Sequence, residues 1–582
     1  MSLQEYEPTA PGGGARLLTG VGAGLVSGLA VGGLMAWQGL IEAHGAYGWA
    51  VFAAYATVTG GLLGAIVGRR PYGTAVSASG GLLLGLLGWV VWWLTVDPLL
   101  RATTLTWSIA AARDAYPELV GSLLQGALAG TLYHLGTTLL PVRVGARRPP
   151  KIRAARPPAA RVVIVGGGFG GVGAARRFER LNPRSDRFAV TLISDSNFLL
   201  FTPMLAEVAS GGLEAQHISS PVRAAVTHTR FRHGRVTHID IARRLVHLEG
   251  PGESVPYDHL VLAVGSVPHF LDLPGVAEHA FTLKSLADAA RLRDQVLTML
   301  ERADQETDPV ERARLLTFVV AGGGFAGTET VAELYDLTHG VLHFYPGIDP
   351  DEPRFVLVHS GKRILPELSE RLGDYALGKL RARGIEFRLG VRVSSAGDRE
   401  VTLNDGEVIS TATFVWAAGN RPNPLLRSLP GERGRGGSVP VDRTLRAFEL
   451  EDVWAIGDCA HIPGPDGAPY PPTAQHAIRE GKAVADNIAA VLKGRRPRPF
   501  RFTTLGIFVA LGHRTAAGEI RGRPFSGLTA WLLWRGIYLA KLPGLERRVR
   551  VLLDWALELV FPRDIVVTGT QTTTPLTTRG PQ

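Results

Sequence analysis

Two stretches of this 582-residue chain space their glycines as phosphate chemistry requires. In RVVIVGGGFGG, Gly166, Gly168 and Gly171 follow an apolar run of β type and open an Ala/Arg-rich helical stretch. The first glycine permits a tight turn, and the second lets backbone approach a pyrophosphate. The third lets helix pack on strand, with the helix N-terminus facing the phosphates. LLTFVVAGGGFAGTETVAEL repeats the pattern with Gly322, Gly324 and Gly327. One such motif is a weak signal. Two, each between a strand and a helix, imply two dinucleotides.

Other residues fall where a dinucleotide needs partners. Asp195 lies just past the second strand, FAVTLI, and can hold a ribose hydroxyl. After the second glycine motif the strand RFVLV ends at His359. An acid there would bind the 2′-hydroxyl of NADH and repel a 2′-phosphate. His359, with Lys362 and Arg363 close by, leaves NADPH open. DHLVLAVGS and ATFVWAAGN each end a strand in a glycine turn, at Gly265 and Gly419, and VWAIGDCA places Asp458 just past a strand. The single cysteine, Cys459, excludes a disulfide scaffold, a dithiol redox pair and a Cys-rich metal or iron–sulfur site. It is expected as a small buried residue, and no metal is expected.

The elements that must position these residues read as an α/β fold with two Rossmann-like dinucleotide-binding domains, one inserted in the other. We expect a first part of the outer domain over 161–312, the inserted domain over 313–430 and the return of the outer domain over 431–500. The composition, 46% hydrophobic and 20% charged, excludes a disordered or fibrous chain.

Ahead of this body, 1–140 holds four apolar runs, each near the ~20 residues that cross a bilayer as a helix. Gly20, Gly24, Gly28 and Gly32 recur every four residues, as do Gly60, Gly64 and Gly68, and Gly81/Gly85 and Gly126/Gly130 repeat the step. Such faces serve tight packing within a four-helix transmembrane domain, or oligomerisation. Gln125 and His134 are polar residues inside the fourth run, expected in interhelical hydrogen bonds. Residues 141–160 form a basic, Pro-rich linker suited to anionic headgroups. Arg69 and Arg70 follow the second run, and the linker bases follow the fourth. The loop after the first run has no Lys or Arg, which puts the body on the cytoplasmic face of a multi-pass cell (inner) membrane protein.

The formal charge of +10 is not spread out. Residues 141–161 hold seven bases and no acid, 501–582 hold 11 bases and five acids, and the rest is near neutral. That distribution argues against nucleic acid and for a lipid bilayer as partner. In 501–565, Trp531, Trp534 and Tyr538 mix with Arg535, Lys541, Arg547, Arg548 and Arg550, as suits helices docked at a membrane surface. The tail 566–582 is expected to be disordered.

From about 160 to 565 the chain resembles the type II NADH dehydrogenases, non-pumping NADH:quinone oxidoreductases among the two-dinucleotide-binding-domain flavoproteins. The resemblance rests on VGGGFGG, LLFTPMLAEVASGGL, YDHLVLAVGS, VAGGGFAGTE, RILPELSERL, VWAAG, AIGDCAHIP and PTAQHAIREG, in family order. It implies FAD held by Gly166, Gly168, Gly171 and Asp195, with Thr202 and Pro203 beside the isoalloxazine. Gly265 would border the adenosine side and Asp458 the ribityl chain. Thr473 and Ala474 would begin a helix facing the flavin pyrimidine. It implies NADH, or NADPH, at Gly322, Gly324, Gly327, His359 and Gly419. Glu329 and Gln475 become the catalytic candidates, and Gln475, His476 and Arg479 the contacts of a membrane quinone.

The chain departs from the family pattern at Ser194 and His359, where the family has acids, and at Arg479, where AQxAxQ ends in Gln. The N-terminal four-span domain is not typical of the family either. Two rival readings accompany this one: a flavin-dependent reductase serving a protein acceptor, and a non-catalytic nucleotide-sensing membrane assembly protein. A homo-oligomer stays open.

Overall fold

A computed structural model of the protein describes residues 13–37, 45–66, 74–96, 116–139, 160–182, 188–250, 252–465, 467–559 and 561–567. The chain divides into two units, Met1–Arg153 and Ala154–Gln582. Most of the basic linker, the loops that set orientation, and the tail beyond 567 lie outside the described residues.

The first unit is a bundle of four helices, Gly13–Trp37, Gly45–Ile66, Thr74–Gly88 and Tyr116–Leu139, the third running on as π-helix through Trp89–Val96. Its glycine faces are used within the bundle. A Cβ on Gly20 or Gly24 would collide with backbone of the second helix, and one on Gly81 or Gly130 with backbone between the third and fourth. Small residues therefore bring backbones together in pairs.

The interior of this bundle is partly polar and its exterior apolar. Gln125 and Ser27 are fully buried, with Gln125 Nε2 donating to Ser27 Oγ at 3.2 Å. Leu18, Val26, Leu29, Val58, Leu87 and Val91 are exposed. Among the described residues one helix, Arg16–Trp37, is long and apolar enough to cross a membrane; Phe52–Ala65 and Ser77–Trp92 are apolar but shorter. Four spans were expected. The fourth helix is diluted by Ser122, Gln125, Thr131, His134 and Thr137.

The second unit is built on two parallel sheets. The first runs in the order Val453–Ala455, His259–Leu262, Arg161–Val165, Ala189–Ser194, Arg230–His233. The second runs Glu386–Leu389, Arg354–His359, Thr317–Ala321, Thr413–Trp416. Val162 pairs with Val190 on one side and His259 on the other; Phe318 pairs likewise with Phe355 and Thr413. TFVVA is buried throughout. A parallel strand covered on both faces reads as a continuous apolar run, as this one does. Val453–Ala455 returns to the first sheet after the whole of the second has formed, which is the inserted arrangement the motif order suggests.

A small antiparallel sheet (Gly506–Ala510, Ala516–Ile520, Arg523–Ser526) and two helices (Gly527–Lys541, Leu545–Glu558) complete the unit. Trp534, Val551 and Trp555 are buried in the core that also holds Phe318 and Leu357. Leu528, Leu532, Leu553 and Leu557 on the same two helices are exposed.

Candidate active site

The two glycine turns share one local geometry. Gly166 has φ +113° and Gly322 φ +121°, values that only glycine adopts without strain. Gly166 N–H donates to Ile193 O and Gly322 N–H to Val358 O, both at 2.8 Å. Each turn thus locks onto the neighbouring strand. Gly168 and Gly324 precede their helices with φ/ψ of −77°/−168° and −81°/−169°, and neither helix start carries a side-chain cap. A Cβ on Gly168 would meet nothing within 4 Å. A Cβ on Gly171 or Gly327 would strike the carbonyl of Gly166 or Gly322. Uncapped N–H groups at the second glycine and close helix packing at the third are what a pyrophosphate needs, and both turns have them. The space at the second glycine is open in the first turn, whereas in the second Glu367 Oε1 lies 3.3 Å from where a Gly324 Cβ would sit.

Around the first turn, Ser194 is buried and accepts from Ser196 N–H at 3.2 Å, leaving Asp195 exposed one residue on. Thr202 is exposed and Pro203 half-buried beside the buried Phe201. Gly265 has φ +66° and open space where a Cβ would sit. Asp458 accepts from Ser266 Oγ at 2.8 Å. Around the second turn, His359 Nδ1 accepts from Gly323 N–H at 3.1 Å. Burial pushes this imidazole below its ordinary value, so it is neutral at pH 7. Gly419 accepts from His269 N–H at 3.0 Å.

The helix Ala474–Val491 lies against Phe169–Leu181, where Gly481 meets the backbone at Gly170. Thr473 caps it, its side chain accepting from His476 N–H. His476 is only 2% exposed. Its Nδ1 meets the Thr473 hydroxyl at 2.7 Å and its ring sits edge-on to Phe502. That packing turns His476 inward, whereas Gln475 and Arg479 remain partly exposed. Arg479 lies over the Phe502 ring at 4.1 Å and donates to the Gln475 carbonyl at 2.8 Å.

One strand joins the two halves of the site. Gln475 Nε2 donates to Gly506 O at 3.3 Å, and Ala510 N–H donates to Glu329 Oε1 at 3.0 Å. Gly506–Ala510 therefore carries the two expected catalytic residues at its opposite ends, roughly 13 Å apart at ~3.3 Å per residue. Tyr538 completes the grouping, edge-on to Phe201 at 6.0 Å and close enough to Glu329 that the carboxylate raises its pKa further. Glu329 is itself pushed up to about 8, chiefly by burial.

Several groups were not singled out from the sequence. Glu480 Oε2 accepts from Gly457 N–H at 2.8 Å and burial pushes it up to about 7. Lys284 stands near Asp458, its amine lowered by burial. Glu207 and Glu333 are buried beside Glu329. Glu333 was findable as the residue one helical turn after Glu329, and Glu207 as the lone acid in an apolar run. Cys459 is fully buried, its thiol held between Leu262 O and Ile456 O and pushed up to about 12 by burial. Among the described residues no group of three or more potential ligand side chains could hold a metal.

Two glycine turns on two parallel sheets, one sheet inserted in the other, define a pyridine-nucleotide oxidoreductase of the two-dinucleotide-binding class. The family model described as pyridine nucleotide-disulphide oxidoreductase matches residues 160–481. The chain is 33% identical over 420 residues to the type II NADH:quinone oxidoreductase Ndh of Mycobacterium tuberculosis, covering 69% of this chain and 89% of that protein. It is 31% identical to a probable NADH dehydrogenase of Dictyostelium discoideum, over 70% and 90% of the two chains. The solved structure of NDH2 from Plasmodium falciparum in complex with NADH shares the fold, with a TM-score of 0.65 at 18% identity, over 70% of this chain and all of that one. The chain belongs to the type II NADH:quinone oxidoreductase family. This is a family of flavin-dependent oxidoreductases whose cofactors are FAD and NADH.

Proposed function

We propose that this protein is a membrane-bound enzyme that passes two electrons from NADH, through FAD, to a membrane quinone without pumping protons. The observation that carries the reading is the strand Gly506–Ala510, which sets Gln475 of one dinucleotide unit and Glu329 of the other at its two ends. FAD belongs at Gly166, Gly168 and Gly171, with Asp195, Thr202, Pro203, Gly265, Asp458, Thr473 and Ala474 around it. NADH belongs at Gly322, Gly324, Gly327, His359 and Gly419. When bound, the flavin supplies the hydride acceptor and the two-electron donor.

The chain's own residues bind, orient and manage charge. The N-terminus of Ala474–Val491, capped by Thr473, offers N–H groups and a positive dipole end to negative charge. Gln475, Arg479 and the rings of Phe502 and Tyr538 line the approach for a quinone. Glu329 holds a proton near neutral pH because burial disfavours its charged form. The polar interior and apolar exterior of the N-terminal bundle support a four-span domain in the cell membrane. The exposed leucines on the last two helices support docking of the catalytic unit at the cytoplasmic face.

The test is anaerobic stopped-flow mixing of flavin-loaded protein with NADH or NADPH, then with a panel of quinones. Bleaching of the flavin band by nucleotide and its return with quinone are expected. Flavin-loaded protein that stays oxidised with both nucleotides refutes the reading.

A further inference from the structure

A chamber of roughly 560 Å³ lies behind the helix Phe325–Val341, lined by Glu207, Glu333, Arg535, Glu558 and Arg563 among others. Glu207 and Glu333 are 7% and 6% exposed. Glu333 Oε2 accepts from Ser210 Oγ at 2.6 Å and from Arg563 Nη2 at 3.3 Å, and Glu207 Oε2 accepts from Trp555 Nε1 at 3.0 Å. Arg563 also binds Glu558 at 2.8 Å, and Arg535 binds Glu558 at 3.2 Å. Arg563 Nη1 and Arg535 Nε are sealed from solvent and have no hydrogen-bond partner among the described residues. A chamber this large, lined by carboxylates and guanidinium groups, has room and partners for water.

Glu329 connects this chamber to the electron-transfer site. It lies one helical turn before Glu333, on the same helix face, where side chains are about 5–6 Å apart at Cβ. Ala510, whose N–H is bonded to Glu329, also lines the chamber. On the other side Glu329 acts on Tyr538, which packs on Phe201. The acids therefore run in sequence from open chamber to buried site.

Quinol formation needs that path. NADH, quinone and one proton give NAD⁺ and quinol: the hydride brings two electrons and one proton, and the second proton comes from solution. We propose that Glu333 and Glu207 form the inner segment of a proton-entry route that carries this solvent proton from the chamber to Glu329 and on to the quinone oxygen. At each step an O–H bond breaks on one carboxyl as another forms on the next; the electrons come only from NADH. The proposal rests on the quinone reading.

The charge environment suits the task. Burial raises Glu207 to about 8 and raises Glu333, with each acid adding to the rise of a neighbour. Arg535 and Arg563 oppose the rise, while Asp336 on the same helix and Glu558 on the last helix reinforce it. Arg383 is paired with Asp336, and His339, His513 and Arg514 stand around the chamber. Neutral carboxyls near pH 7 can donate and be refilled.

The test compares wild type with Glu333→Gln, Glu207→Gln and Glu333→Asp in the flavin-loaded, membrane-embedded protein. Bleaching by NADH is expected within about twofold of wild type, because that step draws no proton from the chamber. Reoxidation by quinone is expected to slow about tenfold or more in the Gln variants, with a larger solvent-deuterium isotope effect, and to recover in Glu333→Asp. The wild-type reoxidation rate should fall above about pH 8, as Glu329 and Glu207 lose their protons, and the profile should shift in the Gln variants. Infrared titration of the oxidised protein should show a protonated-carboxyl band titrating near neutral pH, diminished in each Gln variant, and it requires no turnover. Wild-type quinone turnover with unaltered variant rates, pH profile and infrared band overturns this proposal alone. Wild type that never reoxidises with quinone overturns the acceptor reading and this route together. If Glu333→Gln does not fold, the infrared comparison of wild type with Glu207→Gln decides.

Discussion

Gly168→Ala and Gly171→Ala separate a glycine needed for a ligand from one needed for the fold. At Gly168 the backbone, φ −77° and ψ −168°, suits any residue, and a Cβ would meet nothing within 4 Å. Alanine there should leave the ligand-free protein as stable or raise stability by about 0.4–1 kcal/mol, through loss of unfolded-state freedom. The same Cβ points into the space assigned to the pyrophosphate. A clash with the ligand of about 1–3 kcal/mol, the cost of overfilling a packed site, corresponds to roughly 5- to 150-fold weaker FAD binding. At Gly171 the Cβ would lie under 3.0 Å from the Gly166 carbonyl, a backbone atom that cannot rotate away. The turn would have to open by roughly an ångström, so Gly171→Ala should lose stability and FAD together. The assay is denaturant unfolding of ligand-free protein beside fluorescence titration with FAD. Wild-type FAD affinity in Gly168→Ala would refute the placement of the pyrophosphate at this turn.

Three further outcomes are expected. His359→Glu should raise the NADH-to-NADPH ratio of kcat/KM about tenfold or more by repelling the 2′-phosphate; unchanged selectivity rejects His359 as a ribose neighbour. Cys459, fully buried with a thiol pushed up to about 12, should resist a thiol reagent in folded protein and react only on unfolding; rapid labelling of native protein contradicts this burial. Glu329 is held up at about 8 against an ordinary 4.5, so the folded state binds its proton more tightly across that window and stability should fall as pH rises through it. Glu329→Gln should flatten the slope of Tm against pH between those values; an unchanged slope argues against the raised value.

The parts of the fold legible in the sequence are those written in local spacing. Three glycines at fixed offsets between an apolar run and a helix require the turn geometry found at Gly166 and Gly322, since each offset answers a separate contact. The four-residue glycine step likewise foretold close helix pairs in the N-terminal bundle, and Gly20 on Gly60 shows how they are used. Membrane crossing was less legible. A polar residue such as Gln125 lowers a helix's hydropathy whether it faces lipid or, as here, Ser27 in the bundle interior. Nor could spacing place Gly506–Ala510 between Gln475 and Glu329, or bring Glu207 beside Glu333, because these meetings depend on how two sheets and a late antiparallel segment pack.

The middle glycine of each turn shows why the strand-end residue is the place where the two dinucleotide sites diverge. A Cβ on Gly167 would lie 2.7 Å from Ser194 Oγ, and one on Gly323 would lie 2.6 Å from the His359 ring. In both units the turn therefore gives up a side chain so that the strand-end residue can reach across it. Ser194 uses that space to accept from Ser196, and Asp195 between them is exposed. His359 uses it to accept from Gly323 with an imidazole that burial keeps neutral. Neither residue offers negative charge at the strand end itself. In the first unit Asp195 restores it one residue later; in the second the next residues are Ser360, Gly361, Lys362 and Arg363, which supply none. The two turns share their backbone geometry, although only the second has a carboxylate, Glu367, beside its second glycine, and discrimination at the ribose passes to the residues just beyond the strand.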